Sequence, residues 1–324
     1  MRTQSPADDR PQHAGASRPP LVALVGPTAV GKTALSLVLA VAIGGEVVSA
    51  DSRQVYRHMD IGTAKPTPEE RRRVSHHLLD LLDPDQTLGL AEYQGAARDA
   101  VDRITSRGHV PVLVGGTGQY VMALVEGWQI PRIPPNSALR RQLYDEAAGG
   151  GADALHSRLR DIDPVAAASI DSRNIRRVVR ALEICLESGR RVSDLRGKNP
   201  TPYEVLMVGL TLPRDELYRR IDQRVDKMIE CGLEQEVRGL VSAGYGFDLP
   251  AMSGLGYAQF APLLRGEATL AEVVQAVKRA TRRFVRQQAN WFRPDDSRIH
   301  WYGAAPDPTD KLVELVSRFL DATT

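Results

Sequence analysis

Residues 26–33 read Gly26-Pro27-Thr28-Ala29-Val30-Gly31-Lys32-Thr33, directly after the apolar run Leu21-Val22-Ala23-Leu24-Val25. The octet fits G-x-x-x-x-G-K-[ST], a loop that cradles phosphates between a strand and the helix after it. The context matches, because 21–25 reads as a buried strand and 32–43 as a helix. Backbone amides from Ala29 to Thr33 are expected to point into the loop, where the helix start adds partial positive charge. Lys32 then reaches terminal phosphate oxygens, and the Thr33 hydroxyl is placed to ligate Mg²⁺. A tight turn with a surface lysine is the bland alternative, and the strand-to-helix context disfavours it. On these eight residues alone, the ligand would be a nucleotide.

Outward from the loop, 46–50 reads as a second strand and 91–107 as a helix ending at Gly108. A third buried strand at 110–114 leads into Gly115-Gly116-Thr117-Gly118 and a helix to residue 126. Strands alternating with helices imply a parallel sheet covered on both faces. The pattern breaks at 129–136, where IPRIPPN carries three prolines. From 137 to about 195 the periodicity is helical only, with segments at 163–170 and 173–187. A strand returns at 205–212, followed by helices at 214–229, 233–243 and 269–292, a strand at 299–302 and a last helix. The expected fold is α/β: a P-loop NTPase-like parallel sheet core at 21–129 and 201–324, with an all-helical insertion domain at 130–200. Residues 1–20, rich in Pro, Arg, Asp and Gln, read as a disordered tail.

The 324 residues are 42% hydrophobic and 25% charged, ordinary for a soluble globular protein. No apolar run approaches the roughly 18 residues of a membrane helix. Cys185 and Cys231 are the only cysteines and form no CxxC pair, which favours a reducing, cytoplasmic setting over a zinc site. A monomer is expected.

Net charge is only +2, yet residues 278–293 hold six basic residues and no acidic one. By helical spacing, Lys278, Arg282, Arg286, Arg279 and Arg283 share a cationic outer side, with Val277, Ala280, Phe284 and Trp291 opposite. Arg173, Arg176, Arg177 and Arg180 repeat at i, i+3, i+4, i+7 in the insertion. Such stripes are often solvated faces, but two unbalanced ones in a near-neutral chain favour a polyanion. Asp51 ends the second strand and projects into the crevice where parallel sheets bind ligands. Metal support, general base and helix cap are its three open roles, with metal support the default beside a nucleotide. The Gly115–Gly118 turn faces the same crevice.

Several blocks together resemble the bacterial tRNA dimethylallyltransferases: GPTAVGKTAL, SADSRQVYRHMDIGTAKPT (49–67), HHLLDLLDP (76–84), VGGTGQYVMALVEG (114–127), IRRVVRALEI (175–184), IDQRVDKMIE (221–230), LGYAQF (255–260) and RRFVRQQANWFR (282–293). The similarity runs in consistent order from about Leu21 to Tyr302. It implies transfer of a dimethylallyl group from dimethylallyl diphosphate to N6 of the adenosine just 3′ of the anticodon of a tRNA. The phosphate loop would then hold the donor's diphosphate with Mg²⁺ on Thr33, and Arg224 would assist the departing charge. The resemblance makes Asp51 the base, in place of the metal role, with Ser52, Arg53 and Gln54 beside the RNA. Thr117 matches a position contacting tRNA near the chemistry. Arg140, Arg176, Arg177, Arg180, Gly256 and Tyr257 match further tRNA contacts. The aspartate-rich DDxxD motif of chain-elongating prenyltransferases does not occur, which leaves the phosphate loop as the diphosphate site.

Two other readings compete. An enzyme prenylating free adenine nucleotides would need neither the insertion nor its arginines. A small-molecule kinase would use the loop for ATP and carry a lid with arginines near the γ-phosphate.

Overall fold

In the computed structural model, which describes residues 18–323, the apolar run ahead of the phosphate loop is β1 (Pro20–Val25). Leu21 through Val25 are 0% exposed, as a parallel strand covered on both faces requires. After β1 come α1 (Lys32–Ile43), β2 (Gly45–Ala50), α2 (Pro68–Arg73), β3 (His76–His77), α3 (Leu90–Ser106), β4 (Val110–Gly115) and α4 (Gly118–Val125). β5 (Trp128–Gln129) precedes five helices: α5 (Ser137–Gly150), α6 (Ala152–Ile162), α7 (Pro164–Ser169), α8 (Ile175–Ser188) and α9 (Val192–Leu195). β6 (Gly197–Lys198) and β7 (Glu204–Thr211) return the chain to the sheet. It continues through α10 (Arg214–Glu230), α11 (Leu233–Ser242), a 3₁₀ turn at Ala258–Phe260, α12 (Ala261–Leu264), α13 (Leu270–Gln288), β8 (Ile299–Gly303) and α14 (Thr309–Thr323).

The main sheet is parallel throughout, in the order β3-β2-β4-β1-β7-β8. β1 therefore lies inside it, paired with β4 on one side and β7 on the other. α5–α9 bury a separate core of their own, including Leu143, Leu155, Leu159, Val178 and Leu182. They join the sheet domain through a neck in which β5 and β6 pair antiparallel, Trp128 with Lys198 and Gln129 with Gly197.

The expected elements recur with ends moved by a few residues. Pro20, placed in the tail, pairs with Glu204 and opens β1; residues 1–17 lie outside the described residues. The short elements α2, β3, β5 and β6 escaped periodicity because two to six residues define no repeat. One reading is corrected. α13 buries Val273, Val277, Thr281, Val285 and Gln288, whereas Phe284, assigned to its apolar side, is 37% exposed.

At the amino ends of β2, β3 and β4 the sheet is fastened by one buried carboxylate. Glu46 accepts from His77 Nε2 at 2.6 Å, His109 Nδ1 at 2.5 Å and Arg107 at 2.9 Å. Burial works to raise its carboxyl, but these hydrogen bonds outweigh it and hold it at about 2, from an ordinary 4.5. A folded-state value below the unfolded one means stability that is present above pH 4.5 and lost as pH falls toward 2. Glu46→Gln is expected to lower the urea midpoint at neutral pH. The gap from wild type should close between pH 4.5 and 2, and a gap that ignores pH would contradict the ionic role.

Candidate active site

Three turns meet at the carboxyl ends of β1, β2 and β4, where open α/β sheets bind ligands. The first is the phosphate loop. Gly26 has φ +141°, and a Cβ there would stand 2.6 Å from the Leu210 carbonyl oxygen, so only glycine fits. Gly31, at φ +109°, hands the chain to α1. Lys32 bends back over the loop, donating to the carbonyls of Gly26 at 2.9 Å and Pro27 at 2.8 Å. Beside it opens a cavity of about 250 Å³, lined by Ala29, Gly31, Lys32, Thr33, Ala34, Arg220 and Arg224.

The charges at this cavity come from three distant parts of the chain. Burial, and then the nearby Arg224 guanidinium, pull the Lys32 ammonium down to about 7, while Asp51 opposes them. Burial also lowers Arg224, again against the pull of Asp51. Lys32, Asp51 and Arg224, singled out separately, thus share one electrostatic environment. Arg220 was missed; it lies one helical turn before Arg224 and lines the same cavity, while its Nε donates to Glu216 at 3.0 Å. The i, i+4 spacing of the two arginines was the available signal.

Asp51 begins the second turn, and its Oδ1 accepts from the Arg53 amide at 2.8 Å. The third turn is locked against it. Thr117 N donates to Ala50 O at 3.2 Å, and Thr117 Oγ1 accepts from Ser52 N at 3.0 Å. A Cβ on Gly115 would lie 2.1 Å from Ala50 O, so β2 and β4 close in only with glycine there. Ser52, Arg53 and Gln54 are half-buried. Arg53 donates to Pro250 O at 2.8 Å, and Gln54 accepts from Ser49 Oγ at 3.1 Å.

Gln288, which the sequence reading left without a role, joins the first turn to the third. Its Oε1 accepts from Thr28 N at 2.9 Å, and its Nε2 donates to Gly116 O at 3.0 Å. It is 4% exposed, and a Cβ on Gly116 would come within 2.3 Å of its amide nitrogen. A polar amide ending the stripe 273-277-281-285 was the overlooked mark.

The basic stripes divide. Lys278 pairs with Asp226 and Arg282 with Asp222, both on α10, and Arg286 donates to Tyr218. That side of α13 therefore faces a helix, leaving Arg279 and Arg283 exposed. In the insertion, Glu183, wholly buried, accepts from Arg140 at 2.8 Å and also from Arg180. Arg173 pairs with Asp171. Arg176 and Arg177 are exposed, with no carboxylate in ion-pair range among the described residues. Gly256 and Tyr257 are buried, so the expected direct contact with RNA does not follow from their placement.

Residues 54–295 match the family model described as IPP transferase. A tRNA dimethylallyltransferase of Herpetosiphon aurantiacus is 51% identical over 302 residues, 93% of this chain and 96% of that one. One from Dehalococcoides mccartyi is 46% identical, over 93% of each chain. The chain belongs to the IPP transferase family. The structure of a full-length tRNA isopentenylpyrophosphate transferase from Bacillus halodurans superposes with a TM-score of 0.68 at 41% identity, covering 94% of this chain and 96% of that one. A eukaryotic dimethylallyltransferase acting on tRNA shares the fold, with a TM-score of 0.79 at 24% identity, covering 94% of this chain and 80% of that one.

The lysine at this cavity would give any anion bound there a pH signature. A bound diphosphate raises Lys32 above its free value of about 7, so binding above that pH requires proton uptake. The advantage of wild type over Lys32→Met in affinity for inorganic pyrophosphate is expected to be greatest below pH 7 and to decline above it, by calorimetry. A pH-independent advantage would contradict this assignment.

Proposed function

We propose that this chain transfers the dimethylallyl group of dimethylallyl diphosphate to N6 of the adenosine just 3′ of the anticodon in tRNA, releasing diphosphate. The observation that carries the reading is the cavity where Lys32, Thr33 and Arg224 surround a phosphate-sized space within the electrostatic reach of Asp51. The tRNA dimethylallyltransferases it resembles agree with this reading.

The allylic C–O bond breaks as the N6–carbon bond forms. Positive charge develops on the allylic carbon, and negative charge on the departing diphosphate. Loop amides, Lys32 and Arg224 stabilise the leaving anion from fixed positions. The N6 lone pair is delocalised into the purine, so attack benefits from a base that takes the N6 proton. Asp51 is the carboxylate at hand, and its orientation is set by the Arg53 amide. The target base must leave its stack to reach this depth, which a loop nucleotide does at low cost. The residues fit Mg²⁺ through the Thr33 hydroxyl on the cavity wall, a single protein donor for a cation that takes most of its ligands from phosphate and water. When bound by Thr33, Mg²⁺ supplies neutralisation of the diphosphate charge.

Arg176 and Arg177 present uncompensated charge for the anticodon stem-loop. A free-nucleotide substrate would give no use to an insertion with its own core and these two arginines. No helix among the described residues is long and apolar enough to cross a membrane. A cytoplasmic monomer acting on folded tRNA is the setting we infer.

The decisive experiment offers dimethylallyl diphosphate or ATP with tRNA or AMP and follows product mass. Prenylated tRNA is expected; prenylated AMP with unmodified tRNA, or phosphoryl transfer from ATP, would overturn the reading. Asp51→Asn should lower turnover roughly 10²- to 10⁴-fold with pyrophosphate affinity retained, as loss of a general base does. Equal loss of pyrophosphate affinity would return Asp51 to metal support. Arg177→Ala should weaken tRNA binding and lower the slope of log affinity against log salt by about one. An unchanged slope would leave that arginine a solvated charge.

A further inference from the structure

The loop after Asp51 is held by a carboxylate with no assigned role. Glu236, on α11, accepts from three consecutive backbone amides: Asp60 N at 2.8 Å, Ile61 N at 2.7 Å and Gly62 N at 3.1 Å. The Tyr257 hydroxyl is its fourth donor, at 2.6 Å. Successive amides turned to one side form an anion-binding concavity, here filled from within the protein. No lysine or arginine lies in ion-pair range of Glu236 among the described residues, so these four donors balance its charge. Burial, and then the neighbouring carboxylate, push the Tyr257 hydroxyl upward, which keeps it a donor. The fit is tight: a Cβ on Gly62 would stand 2.5 Å from the Tyr257 ring.

The clamp is connected to the acceptor side. Residues 60–62 lead into Thr63 and Ala64, whose carbonyls accept from Gln54 Nε2 at 3.3 and 3.2 Å. Lys65 closes the loop on itself by pairing with Asp60 at 2.7 Å and Asp80 at 2.6 Å. At its other end, α11 follows directly from α10, which carries Arg220 and Arg224. We propose that Glu236 is a positioning residue: it fixes the loop carrying Ser52, Arg53 and Gln54 to the helix pair that presents the diphosphate arginines, and thereby sets acceptor against donor. Buried Tyr257 then acts on RNA through this carboxylate rather than by touching it.

This inference rests on tRNA prenylation, which wild type tests by itself in the same assay. In the full chain, Glu236→Gln keeps the shape but turns an amide NH₂ toward groups that all donate. We expect kcat/KM for tRNA to fall roughly 10- to 100-fold, the scale of a small misplacement of reacting groups. Inorganic pyrophosphate affinity should stay within about twofold, because no phosphate-loop contact is lost. Hydrogen exchange should accelerate at the amides of residues 60–62 and not in β1 or β4. Tyr257→Phe removes one of four donors and should give the same pattern, smaller, so the inference stays testable if the first variant does not fold. Faster exchange at 60–62 with unchanged kcat/KM would overturn it. So would pyrophosphate affinity falling in step with tRNA activity, or unchanged exchange.

Discussion

Two half-buried cations at one end of the sheet set the terms for the surrounding structure. Lys32 and Arg224 share a cavity wall, and both are disfavoured there by burial; Arg224 further weakens the Lys32 charge. Buried like charges persist only where hydrogen bonds and an opposite charge compensate them. The Gly26 and Pro27 carbonyls and Asp51 give partial compensation. What remains is a fixed excess of positive potential shaped for a polyanion. A leaving diphosphate gains from such a site at the moment its charge develops, with no reorganisation required.

Holding Arg224 there requires a rigid α10, and the helix is built with two charged sides. Arg220 and Arg224 face the phosphate loop. Asp222 and Asp226 are offset from them by two residues, about 200° around the helix, and receive Arg282 and Lys278 of α13. The basic stripe of α13 is therefore counter-charge for α10. α13 in turn ends at Gln288, whose amide couples the phosphate loop to the glycine turn. Phosphate loop, glycine turn and the two half-buried arginines are thus fastened through one helix pair.

Much of this was legible in the sequence, for identifiable reasons. GPTAVGKT and the strand before it specify a loop whose glycines have no substitute, and the alternation of strands and helices survives in the observed sheet. Lys32, Asp51, Thr117 and Arg224 do converge. The missed features depend on pairing between distant residues. Spacing shows that Lys278 and Arg282 share a helix side, but not that Asp226 and Asp222 wait opposite. Arg140 and Arg180 likewise look free until Glu183 is placed between them. Tyr257 matched a contact position, yet its ring is buried against Gly62. Gln288 and Glu236 carry no motif; both partners of Gln288 and the three backbone amides held by Glu236 lie more than 100 residues away.

Counting basic residues consequently overstates the field that a nucleic acid meets. Once ion pairs are removed, Arg176 and Arg177 remain as the exposed cations of α8. They belong to a helical unit whose neck is anchored close to the chemistry. Trp128 of β5 donates to Glu126 at 2.7 Å, and Glu126 also receives Lys198 and Arg298. Trp128 lies 6.3 Å from Trp291, the residue packed against Gly118. The neck is thus joined to α4, the helix that starts right after Thr117. For the proposed RNA substrate, phosphate contacts would position the chain, and the anchored neck would fix where these arginines stand relative to the cavity.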